Sequence, residues 1–100
     1  MRYMTDTYWI VQLIGQAKKF NQNLPKDAQL QLLALIRSLS KLGPIQYEWP
    51  HYSKLSGKKE CYHCHIERGR PTYVACWQVV DKKQKIIEVY YAGTHEKAPY

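Results

Sequence analysis

Long apolar runs are missing from this sequence. The longest, around residues 8–11 and 32–36, fall far short of the roughly 20 residues that cross a membrane, so a soluble protein is expected. The first residues do not combine a basic start with a long apolar stretch and a small-residue cleavage site, so no secretory leader is expected, and an internal repeat, a low-complexity segment and a Gly/Ser linker are also missing from these residues. A chain of 100 residues without such joints is expected to form one domain over residues 1–100, long enough for one core and too short for two. Cysteine is scarce, and three residues cannot pair completely, which favours a reducing cytoplasm. Acidic side chains are few: 8 against 15 basic ones leave a net charge of +7, and on so small a body that points to polyanionic partners. Aromatic residues are plentiful, with nine tyrosines and three tryptophans in a chain that is 45% hydrophobic. This composition excludes a disordered basic tail.

Two periodicities divide the chain. Over residues 7–20, Ile10, Leu13, Ile14, Ala17 and Phe20 fall at helical spacing, with Thr5, Asp6 and Thr7 as candidate caps. After a short link at residues 21–24, Pro25 suits a first helical position. Ala28, Leu32, Leu35, Ile36, Leu39 and Leu42 then form a second stripe that Gly43 and Pro44 end. The short link predicts an antiparallel helical hairpin that a sheet must cover. Residues 45–59 read as irregular. From Cys61 the period changes to two: Tyr62, Cys64 and Ile66 alternate with Cys61, His63, His65 and Glu67. Further strands are predicted over residues 72–80 and 85–92, giving a three-stranded meander. The predicted fold class is α+β, a helical hairpin on a small, twisted antiparallel sheet of three to four strands.

Three of the four histidines, His63, His65 and His95, lie on that sheet or just beyond its last strand. Two residues apart on one strand, His63 and His65 project from the same face about 7 Å apart, roughly the span of a phosphodiester. Were the last strand to lie beside the first, His95 and Tyr100 would join them. Metal-free RNA cleavage needs a base for the 2′-hydroxyl proton, an acid for the leaving oxygen and cations for the phosphate. Imidazole serves both proton roles near neutral pH. Arg70, Arg68, Lys54, Lys58 and Lys59 are the candidate cations, the arginines preferred for their two-pronged grip on phosphate. No metal or small-molecule cofactor is expected: a zinc knuckle needs a turn between its cysteines, whereas alternation puts Cys61 and Cys64 on opposite faces of a strand. Cys64 and Cys76 read as small core residues.

Residues 8–100 resemble the RelE-like toxins of toxin–antitoxin systems. The likeness rests on Lys54-Leu55-Ser56-Gly57 leading into Cys61-Tyr62, the aromatic-rich segment from Tyr73 to Val80, and the ending Ile87-Glu88-Val89-Tyr90-Tyr91-Ala92-Gly93-Thr94-His95-Glu96. It implies an endoribonuclease that cuts mRNA at the ribosomal A site, blocks translation and is neutralised by a cognate antitoxin. It also implies catalytic roles for His63 and His65, which stand where RelE has two lysines, for His95, near its late arginine, and for Tyr100. Val74 stands at the position of RelE's central-strand arginine, so Arg70 is the substitute for phosphate. Two further departures are expected: an opening strand reduced at most to residues 1–4, and no helix after Gly93. Two rival functions remain at this point, a ParE-like poison of DNA gyrase and a non-catalytic RNA- or protein-binding module.

Overall fold

The computed structural model describes residues 8–20 and 23–100. Its elements run β1 (Ile10–Leu13), α1 (Gly15–Phe20), α2 (Lys26–Leu42), β2 (Ser53–Lys54), β3 (Cys61–Glu67), β4 (Tyr73–Asp81) and β5 (Ile86–Thr94), followed by a single 3₁₀ turn at His95–Lys97. The α+β class and the meander are as expected. The sheet is larger than expected, with five strands in the order β1-β5-β4-β3-β2, and β1 runs parallel to β5 while every other pair is antiparallel.

The strand at β1 replaces the first half of the expected first helix. Trp9, Ile10 and Val11 are aromatic or β-branched and favour a pleated backbone. Ile10, Leu13 and Ile14 satisfy a helical template, but Val11 and Leu13 also satisfy a period of two, and a short apolar run does not distinguish them. Pairing along Ile10↔Ile86 to Leu13↔Val89 decides the matter. Gly15, at φ +54°, then turns the chain into α1, of only six residues. The expected caps at residues 5–7, the opening strand at residues 1–4 and part of the link after α1 lie outside the described residues.

In α2 the stripe is as read: Ala28, Leu32, Leu35 and Leu39 are buried against the sheet. Leu42 is not part of it, being exposed at the helix end beside Gly43. Pro25 precedes the first helical residue rather than occupying it. Ala17, Leu24 and the α2 stripe share one core with Tyr62, Cys64, Ile66, Ala75, Trp77, Ile87 and Val89. Both helices therefore cover the same face of the sheet, and the apolar side of β3 is the side predicted. Trp77, fully buried, lies opposite Tyr62, and its indole nitrogen donates to the Pro44 carbonyl at 3.1 Å. Tyr52, Tyr62 and Trp77 form a triangle of nearly parallel rings with centroids 6.0–6.2 Å apart. Among the described residues no helix is long and apolar enough to cross a membrane.

Candidate active site

The other face of β3 carries the histidines. His63 lies opposite Cys76, and His65 opposite Val74; cross-strand partners share a face, so these two β4 residues form its floor. Val74 and Cys76 are fully buried, with Tyr91 and partly buried Tyr90 and Ala98 around them. The segment after β5 therefore lies across this face. That placement brings His95 to the site by a route different from the expected one: β5 is separated from β3 by β4, and the chain beyond Thr94 turns back over the sheet. The His95 N–H donates to the Thr72 carbonyl at 2.8 Å, which pins the turn. Contrary to the expectation of no helix after Gly93, one 3₁₀ turn forms here.

Gly93 makes this course possible. A Cβ there would sit 2.8 Å from the Tyr91 hydroxyl, far inside van der Waals contact, and 3.3 Å from the Gln16 amide nitrogen, which is tight by a few tenths of an ångström. The Tyr91 hydroxyl donates to the Thr94 carbonyl at 2.7 Å, so moving that ring loosens the residue just before His95. For Gly93→Ala we expect a stability loss of about 1–3 kcal/mol in urea denaturation, typical of overpacking. The His95 imidazole NMR resonances should shift with it. Unchanged resonances would show that Tyr91 does not control the position of His95.

Four rings close on one another. Centroids of His63 and His65 are 6.3 Å apart, His65 and His95 5.5 Å, His95 and Tyr100 6.2 Å, and Tyr100 and His63 4.6 Å. The quadrilateral joins all four residues proposed from the sequence as catalytic. On one flank, a cleft of about 440 Å³ is lined by His65, His95, Arg70, Thr72 and Glu96. On the other, a hollow of about 450 Å³ is lined by Ser53, Lys54, Lys58, His63 and Tyr100. Arg70, Lys54 and Lys58 thus border the rings. Lys58 also donates to the Pro99 carbonyl at 3.2 Å, tying the loop before β3 to the residue before Tyr100. Arg68 acts on His65 electrostatically from the β3–β4 turn. Lys59 is elsewhere, in a depression with Glu60 and Lys82, because the tight turn before β3 points it away from the rings.

Partial burial pushes the His65 imidazole below its ordinary value, and repulsion from His51, His95, His63 and Arg68 adds to this. His63 is lowered for the same first reason, with a contact from Ser53 opposing and His95 and His51 reinforcing. The Ser53 hydroxyl lies 3.1 Å from His63 Nδ1, which leaves Nε2 for a ligand. Tyr100 is raised by burial, so its hydroxyl keeps its proton near neutral pH. The face therefore offers neutral imidazoles, a phenolic donor and fixed cations. Such a set can accept a proton, return one and hold an anion. Among the described residues, no three His, Cys, Asp or Glu side chains are grouped to hold a metal ion.

Two members of the site were not anticipated. Ser53 sits in what reads as irregular sequence, and only its pairing with His63 reveals a strand there. His51 precedes it and stacks on His65, with centroids 4.2 Å apart and planes at 24°.

Fold and site together define a small α+β protein with a histidine-lined face on an antiparallel meander. The architecture is that of the RelE-like toxins. A double arginine-to-alanine mutant of the E. coli toxin RelE in the free state superposes with a TM-score of 0.68 at 21% identity, over 91% of this chain and 87% of that one. The archaeal RelE–RelB complex from Pyrococcus horikoshii contains a chain that superposes with a TM-score of 0.65 at 22% identity, over 91% of this chain and 99% of that one. No protein-family model matches the sequence, and no curated protein matches it.

Proposed function

We propose that this protein is the toxin of a toxin–antitoxin pair and an endoribonuclease that cuts mRNA on the ribosome. The observation that carries the reading is the closed ring of His63, His65, His95 and Tyr100 beside Arg70, on a fold shared with RelE. The ring and the cations beside it supply the kinds of group that transesterification requires. One neutral imidazole takes the proton of the 2′-hydroxyl, whose oxygen attacks phosphorus. The bond to the 5′-oxygen breaks, and that oxygen takes a proton from a second imidazole, leaving a 2′,3′-cyclic phosphate and a free 5′-hydroxyl. The arriving anion itself favours a charged imidazole, so binding supplies the acid while the repulsion among the histidines keeps its neighbour a base. Tyr100 donates a hydrogen bond to a phosphate oxygen, and Arg70 takes the place that Val74 vacates in meeting the developing charge. Lys54 and Lys58 guide the strand through the hollow beside His63.

A net charge of +7 suits a target as rich in phosphate as the ribosome and raises the rate of encounter at low salt. The antitoxin partner is supported by the complex in which the archaeal neighbour occurs. Leu30 and Leu33, half-exposed on the outer side of α2, offer apolar surface for it.

Inducing the chain in a bacterial host and mapping mRNA ends by primer extension tests the proposal. Expected are growth arrest, cuts within translated codons, and downstream fragments that begin with a 5′-hydroxyl. Fragments beginning with a 5′-phosphate would refute the 2′-hydroxyl mechanism. Arrest with intact mRNA would favour gyrase poisoning.

A further inference from the structure

The ring leaves out one histidine that touches it. His51 is exposed and lies in the loop before β2, with its backbone in the left-handed region at φ 55°. A residue other than glycine adopts that conformation uncommonly, and such strain persists only where surrounding bonds hold it. Here two do. The His65 N–H donates to the Pro50 carbonyl at 2.8 Å, and the Tyr52 N–H to the Trp49 carbonyl at 3.2 Å. The first is a direct tie between the strand bearing His65 and the residue before His51. It brings the loop alongside β3, where the two rings stack with centroids 4.2 Å apart.

We propose that His51 is a positioning residue for His65: the stacked pair works as one unit, in which His51 fixes the plane of the His65 ring and holds it ready for proton transfer. This rests on the reading of His65 as a proton-transfer group. An imidazole in contact with a second one meets repulsion when it takes up a proton. His65 is the more buried of the two, and burial together with the His51 charge disfavours its cationic form. The other groups facing the pair are His63 and Glu67 on β3, Arg68 and Arg70 in the following turn, and His95 and Glu96 beyond β5. From β4 the residue opposite His65 is Val74, which carries no charge. The two carboxylates pull against four other groups that are cationic or can become so, and His51 is the one in face-to-face contact.

The test replaces His51 by phenylalanine, which keeps a flat ring on His65 and removes the titrating group, and by alanine, which removes both. The His65 imidazole is followed by NMR as pH is varied, and RNA cleavage is measured over the same range. In His51→Phe the His65 titration and the acidic limb of the cleavage profile should move together to higher pH, because the repulsion from His51 that lowers His65 is gone. At about pH 5.5 cleavage should fall roughly threefold or more below wild type. In His51→Ala the loss of ring orientation should add a drop of about tenfold across the range. A His65 titration that stays in place in His51→Phe overturns the proposal whether or not RNA is cut. A titration that moves, in a chain whose wild type cuts no RNA, supports the pairing of the rings and refutes the nuclease reading instead.

Discussion

Replacing His63 and His65 together by alanine is expected to lower RNA cleavage by about 100-fold or more, the usual cost of losing a general acid or base. Both side chains stand on the face of β3 turned away from the helices, half-buried and outside the main core. Their truncation leaves Tyr62, Cys64 and Ile66 in place on the other side, so the variant should fold, and circular dichroism will show whether it does. The single variants should each lose most of the activity, because groups that work as a unit do not contribute additively. Arg70→Ala would serve as a contrast, since it removes stabilisation of the developing charge and leaves the proton-transfer groups in place. Full cleavage by a folded double variant would end the nuclease reading and leave a module that binds RNA through charge alone.

Trp77→Ala should have the largest effect on stability. The side chain is fully buried, and removal of a core tryptophan costs about 3–5 kcal/mol. A domain of this size is typically stable by about 5–15 kcal/mol, so about a fifth or more of the total is at stake. Three losses combine: the apolar area itself, the ring contacts with Tyr52 and Tyr62, and the hydrogen bond to Pro44. Trp77→Phe separates them, keeping a ring and leaving the Pro44 carbonyl without this donor, for an expected loss of about 1–3 kcal/mol. Urea denaturation measures both. Equal losses in the two variants would mean that the hydrogen bond, rather than the packing, holds the helix end to the sheet.

Much of this arrangement was legible in the sequence where the periodicity was unambiguous. In α2 the stripe from Ala28 to Leu39 and in β3 the alternation from Tyr62 to Ile66 each follow one spacing, and those predicted faces are the observed ones, with Leu42 the exception. β1 was not legible, because Ile10, Val11 and Leu13 fit two spacings at once and a parallel partner 76 residues later in the chain makes the choice (Ile10↔Ile86). His63 and His65 could be placed together from alternation alone. The approach of His95 could be stated only as a condition on strand order, and that condition fails: the chain reaches the site by crossing the sheet after Thr94. The role of His51 was hidden for a similar reason. Nothing in Pro50-His51-Tyr52 signals a strand, and only the bond from His65 to the Pro50 carbonyl brings the loop alongside β3.

One outer margin of the sheet is also guarded. β5 has nine residues and β1 only four, so beyond Val89 the flank of β5 would stand open as a template for a strand from another molecule. Gln16 occupies that place with one side chain. Its amide oxygen accepts from the Ala92 N–H at 3.0 Å and its amide nitrogen donates to the Ala92 carbonyl at 3.3 Å, imitating the two bonds that an incoming chain would make. Chains crowded together during synthesis would therefore find this margin already taken, and unwanted association along it would first have to displace the glutamine.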